Sequence, residues 1–267
     1  MTEADALFRG GDLEGARAAL IARVKATPGD VPTRMFLFQL LAIAGEWDKA
    51  RAQLGAIAQF SPEAQMLSVA YGQAIDAERQ RVISLAGLKP VPILARGGDW
   101  IEDVAAALCM LGQGDLAAAI DRRDSALDAA PNTPGTLFAD GLDEVAFDWI
   151  TDADPWFGPA IEAIVAGNWG LLPFDAIEWI KSSGASDLRD TIWFPVEIGL
   201  RSGPSVAALL PARYPGSEAS SDIRLRLGTS TNWAENGRGV GQHLLSTSAD
   251  LDAGLVSLRH LRFEPQP

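Results

Sequence analysis

The stretch GDLEGARAALIARVKATP at 11–28 aligns without a gap on GEWDKARAQLGAIAQFSP at 45–62, an offset of 34 residues. No other feature restricts the fold as strongly. A repeat of that length is one helical hairpin, and stacked hairpins bury the apolar faces that a single one leaves open. Gly11 falls on Gly45, Leu13 on Trp47, Ala16-Arg17 on Ala50-Arg51, Leu20 on Leu54 and Pro28 on Pro62. Glycine ends a helix where positive φ is needed, and the acid after it suits the first turn of the next. The alanine lets two helices approach, and proline marks the following break. GQGDLAAAIDRRDSALDAAP is a third, degraded copy, with Ala119 in the small position and Arg123 in the leucine slot. The register makes Trp47 a core residue.

Further helices follow from local signals. Ser61-Pro62-Glu63 is a capped start for a helix reaching about Leu85. GLKPVPILARGGD, with two X-Pro steps, is extended. Helices are predicted from about Trp100 to Leu111 and from about Thr136 to Ile150. Residues 1–152 are therefore expected to form a tetratricopeptide-like α-superhelix.

Beyond that point the texture changes. Six of the eight tryptophans lie from Trp149 onward, and short apolar runs alternate with turn signals: AIEAIVAG, NWGLLPF, TIWFPVEIGL, SVAALL, IRLRL, GQHLLST, LVSLRHLRF. IRLRL alternates as a half-buried strand does, with Ile223, Leu225 and Leu227 on one face. Only FDAIEWIKS, 174–182, reads as a helix here. The expected fold class is α+β in two domains, with residues 153–267 forming a small, mostly β, barrel-like unit.

Charge narrows the partners. The net charge is -13, and residues 136–200 hold 12 acids against two bases, Lys181 and Arg189. Such a surface repels phosphate backbones, so nucleic acid is not an expected partner. The acidic N-terminus has no apolar leader-like run, and no apolar run reaches about 18 residues, so neither secretion nor a membrane partner is expected. Cys109, the only cysteine, can form no internal disulfide. These features predict a cytoplasmic protein.

Signals for chemistry are weak. One cysteine and two histidines, His243 and His260, cannot build a thiolate or imidazole metal site. Asp152-Ala153-Asp154 reads as a loop or cap before a metal site, so neither metal nor cofactor is expected. Cys109 lies in the apolar segment AAALCML as a small hydrophobe. GRGVG at 237–241 lacks phosphate-loop spacing and reads as a hairpin turn. His243 and His260 read as surface or half-buried strand residues.

LLPARYPGSEASSD, 209–222, is the densest polar stretch. Pro215-Gly216 suits the centre of a type II turn, with Tyr214 extended before it and Ser217 and Glu218 satisfying backbone amides. Arg213 is positioned to pair with Glu218. Catalysis there would need a titrating partner, His243 or His260. The structural reading is preferred, and an enzyme built around Arg213, Tyr214, Glu218 and His243 stands as its rival.

ARYPGSE at 212–218 carries a wider resemblance. Together with FDWITDAD, FGPAIEAIVAGNW before LPF, LRDTIWFPVEI, GVGQHLLST and LRHLRF, in that order, it is similar to the ImpE (TagJ, SciE-type) family of type VI secretion accessory proteins. The resemblance spans essentially the whole chain. It departs at the degraded third repeat and at Gly170-Leu171, where a bulkier run is usual. It implies a tetratricopeptide-like superhelix joined to a barrel-like domain, and a non-enzymatic adaptor. The partners implied are a helical segment of the small contractile-sheath subunit and, for some members, the AAA+ ATPase that disassembles the sheath. No catalytic residues carry over.

A binding module of this kind offers a concave groove. In TRMFLFQLLAIA, Arg34, Phe38 and Leu41 share one helical face and form the candidate wall. Phe38 and Leu41 fit a core position equally well.

Overall fold

Glycine punctuates the helices as the 34-residue spacing requires. The computed structural model, which describes residues 2–265, runs through α1 (Glu3–Arg9), α2 (Leu13–Ala26), α3 (Val31–Ile43), α4 (Trp47–Ile57), α5 (Pro62–Leu85), α6 (Trp100–Gly112) and α7 (Leu116–Ala129). Gly11, Gly45 and Gly114 take φ of 84°, 69° and 85°, each closing a helix in left-handed backbone. Asp12 and Asp115 cap the following helix instead of entering its first turn, accepting from the Gly15 and Ala118 N–H groups. Ala16, Ala50 and Ala119 are fully buried. Arg123, in the leucine slot of the third copy, lies over the Trp156 ring 4.6 Å from its centroid. Trp47 is half-buried rather than enclosed, 5.8 Å from the Trp193 ring.

Strands begin at Gly135, earlier than expected. They are β1 (Gly135–Ala139), β2 (Val145–Phe147), β3 (Ile150–Asp152), β4 (Ala160–Val165), β5 (Asn168–Pro173), β6 (Ile177–Lys181), β7 (Trp193–Leu200) and β8 (Ser205–Pro211). After α8 (Ile223–Arg226) come β9 (Thr231–Trp233), β10 (Gly239–Gly241), β11 (Leu244–Thr247), β12 (Asp252–Gly254) and β13 (Leu258–Phe263). Eight of them form an antiparallel sheet in the order β2-β1-β13-β6-β7-β8-β4-β5, with β12-β11-β3 and β10-β9 as smaller sheets. The large sheet is open, with β2 and β5 at its edges, so barrel closure is not realised. The loop after α5 runs along the β5 edge, where Leu94 N–H donates to Leu171 and Leu171 N–H to Pro92.

Three local expectations fail, each for a readable reason. The helix predicted over 136–150 is β1, β2 and β3: Leu137 and Ala139 are buried while Phe138 between them is exposed, an alternation of period two. FDAIEWIKS is a 3-10 turn, Phe174–Ala176, followed by β6. Its helix-like spacing arises because the β6–β7 register shifts between Ile177 and Trp179, which buries both Ile177 and Ile180. IRLRL is one helical turn, α8, because the Asp222 carboxylate caps the Arg224 N–H and Leu225 alone is buried deeply.

Alternation also sorts β4 between two cores. Ala160 and Ile164 join a core that includes α3, α5, Trp169, Trp193 and Tyr214, while Ile161 and Ala163 join one on the other sheet face with Leu245 and Ala253. Glu162 falls on the helix-facing side. The helices and the sheet therefore share one core, and that shared face holds the chain's most unusual polar groups.

Candidate functional site

Helix α5 turns polar where it meets the sheet. Glu78, Arg81 and Ser84, spaced by three, are all buried. Arg81 makes a two-pronged pair with Glu162, Nε to Oε1 at 2.7 Å and Nη2 to Oε2 at 2.6 Å, and also donates from Nη2 to the Arg213 carbonyl at 2.8 Å. Glu162 accepts from the Trp169 indole at 2.9 Å, and Glu78 from the Trp193 indole at 3.1 Å.

The cluster continues into the strands. His243 lies 2.6 Å from Asp152 through Nδ1 and 3.0 Å from Glu162 through Nε2. The Tyr214 hydroxyl donates to Asp152 Oδ1 at 2.7 Å, and its ring sits 3.9 Å from the imidazole. Asp152 also accepts from the Asp154 N–H, and Asp154 from the Trp156 and Gly239 N–H groups and from Arg238. Burial opposes charge on His243, but Asp152 and Glu162 outweigh it and raise its pKa to about 9. Burial likewise works against Glu162, which Arg81 and His243 nevertheless hold down at about 2. Burial pushes the Tyr214 phenol up, and Asp152 adds to that rise.

His243 binds its proton more tightly when folded, so its contribution is complete below about pH 6.5 and is lost as pH rises through about 9. Glu162 contributes above about pH 4.5 and loses that as pH falls toward 2. Chemical denaturation at pH 6 and at pH 9.5 should therefore differ by on the order of 1–3 kcal/mol, and His243→Gln should remove most of that difference. A wild-type protein equally stable at both values would contradict it.

The YPGSE turn forms as its sequence requires. Gly216 has φ 84° and ψ -1°, and the Ser217 N–H donates to the Tyr214 carbonyl across a type II turn. Ser217 Oγ donates to the same carbonyl and accepts from the Gly241 N–H, binding the turn to the β9–β10 hairpin that carries GRGVG. Arg213 does not pair with Glu218. Its Nη1 donates to the carbonyls of Ile43 and Arg226 instead. His243 is not a surface residue but fully enclosed, whereas His260 is a half-buried strand residue opposite Lys181. Among the described residues no group of three or more His, Cys, Asp or Glu could hold a metal ion.

Ionisable groups thus converge, but in closed pairs. Each ring nitrogen of His243 faces a carboxylate, the phenol is committed to Asp152, and Ser217 is tied to main chain. Such an arrangement fixes α5, the YPGSE turn and the C-terminal strands against one another.

Residues 144–262, which hold every strand-borne member of this cluster, match the ImpE protein family. The chain is also 38% identical to the type VI secretion system accessory component TagJ of Pseudomonas aeruginosa, over 98% of this chain and 91% of that one. The chain belongs to the ImpE/TagJ family. A crystal structure of protein VPA1032 from Vibrio parahaemolyticus, 20% identical, superposes with a TM-score of 0.85 over 99% of this chain and 98% of that one, and so shares its fold.

In this ImpE-family chain the groove residues chosen from sequence separate. Phe38 and Leu41 are buried, Phe38 between Tyr71 and Trp193, so neither can wall an open groove. Arg34 stays nearer the surface and bonds the Pro28 carbonyl and Gln53. A different cleft, of about 590 Å³, opens between α1, α2, α3 and Leu188, with Phe8, Leu20 and Phe36 among its walls and Arg23 and Asp30 at its margin. Cys109 is half-buried on α6. No helix among the described residues is long and apolar enough to cross a membrane.

Proposed function

We propose that this chain is a non-enzymatic, cytoplasmic accessory protein of a type VI secretion system. It binds a helical segment of the small contractile-sheath subunit and connects that subunit to the AAA+ ATPase that disassembles the sheath. The observation that carries this reading is 38% identity, spread over 98% of the chain, to a secretion accessory component. The closed pairing of the buried ionisable groups supports a binding role over a catalytic one, because a general base needs a lone pair open to substrate. An enzyme acting around Arg213, Tyr214 and Glu218 is the second reading, favoured only by the approach of His243 to Tyr214.

On this proposal the helices work as a tetratricopeptide-like superhelix, with the strand-rich part as a cap, and the cleft between α1, α2 and α3 receives the partner. Its apolar walls and charged margin suit an amphipathic helix docked by a few anchors. Phe36→Glu places a charge on a half-buried wall position and is expected to weaken binding about 30-fold, while Arg34→Glu, off the cleft, changes it little. Calorimetric titration with the sheath subunit measures both. Full affinity in a folded Phe36→Glu variant would remove the cleft from the proposal, and failure of the wild type to bind would remove the partner.

A further inference from the structure

A second cavity, of about 360 Å³, lies where α5, Trp47 and the YPGSE turn meet. Trp47, Val82, Leu85 and Ile192 give it apolar walls, and Glu78, Arg81 and Arg213 also line it. Two of those charges are matched. Arg81 holds Glu162 with two prongs, and Glu78 accepts from Trp193 and faces Arg81.

Arg213 differs. It is only 5% exposed, and among the described residues no carboxylate lies within ion-pair distance. Nη1 is committed to two main-chain carbonyls, and Arg213 lines the cavity with no further protein acceptor for its guanidinium among the described residues. Burial lowers its pKa to about 10, which Glu218 and Glu78 only partly oppose. Glu218, nearest in sequence, packs instead over Gly45, where a Cβ would meet its Cγ at 3.0 Å. A buried guanidinium without an anion gains from any planar acceptor that reaches it, and a carboxylate matches its fork.

We propose that this cavity is a binding site for a small apolar monocarboxylic acid, its carboxylate on Arg213 and its chain against Trp47 and Leu85. The volume lies within the range of small-ligand sites. A dianion such as phosphate is disfavoured, because Glu78 and Glu218 line the same space. The site is independent of which secretion component the chain binds.

Hexanoate is a suitable probe, with 1-hexanol as its neutral counterpart and inorganic phosphate as the dianion. Titrated into the ¹⁵N-labelled full chain, hexanoate should shift the Trp47 indole signal and the Gly216–Glu218 amides saturably, with hexanol binding about tenfold more weakly. Glu218→Gln, which removes a competing negative charge, should tighten hexanoate several-fold. Ala86→Phe, at the exposed rim, should weaken it about tenfold with the circular dichroism unchanged. No saturable shift in wild type or Glu218→Gln overturns the proposal. So does hexanol or phosphate binding as well as hexanoate, or weaker binding by Glu218→Gln. If Ala86→Phe does not fold, the Glu218→Gln and hexanol comparisons decide the matter alone.

Discussion

Glutamine in place of Glu162 is expected to lower the unfolding free energy by about 3–5 kcal/mol, as removal of one partner from a buried ion pair generally does. Glu162 is enclosed on the helix-facing side of β4, where it serves Arg81, His243 and the Trp169 indole together. Glutamine keeps the size and some hydrogen bonding but leaves Arg81 with no balancing charge on the sheet side. The loss comes from that stranded cation, so Arg81→Met made in the Glu162→Gln background should recover part of it. Urea denaturation of the two single variants and the double variant gives the coupling directly. Additive losses would mean that the pair does not hold α5 to the sheet.

The second large effect belongs to Trp193. Its ring is fully buried among Phe38, Trp47 and Tyr71, with centroids 5.6–6.5 Å away, and its indole N–H donates to Glu78. Trp193→Ala should cost about 3–5 kcal/mol from the cavity. Trp193→Phe keeps an aromatic ring and loses the donor, so about 1–3 kcal/mol is expected. The gap between the two variants separates packing from the unmet Glu78 carboxylate. Equal losses would place the whole effect in that hydrogen bond, against the central position of this ring in the shared core.

The helical half was legible because its spacing is enforced by backbone conformation. Gly11, Gly45 and Gly114 need left-handed φ, and Ser61 caps α5 where its sequence predicts. The strands at 135–152 were misread because Thr136 to Ile150 mixes apolar residues with acids at spacings that imitate an amphipathic helix. α8 was misread for the opposite reason: strict alternation over five residues carries less weight than the Asp222 cap.

Sequence reading brings Tyr214 and His243 together only as a rival enzyme site, and the partners that enclose them, Asp152, Glu162, Arg81 and Glu78, escape it. Glu78 and Arg81 look like an ordinary exposed pair on a helix, and His243 precedes an apolar pair that reads as a strand. A single signal was available. Glu162 sits in AIEAIV with isoleucine and alanine on both sides, so a strand buried on both faces must enclose a carboxylate and supply it with a cation. Which cation, 81 residues away, is a property of the tertiary structure.

The placement of β13 has a consequence for how the molecule is made. Leu258–Phe263 is the last strand in sequence, yet it lies inside the large sheet, hydrogen-bonded to β1 on one side and β6 on the other. A chain synthesised from its N-terminus can stack α1 to α4 early, whereas β1 and β6 have no common neighbour until residue 263 has emerged. Until then each presents an open strand edge to the cell, so closure of this half waits on synthesis of Leu258–Phe263.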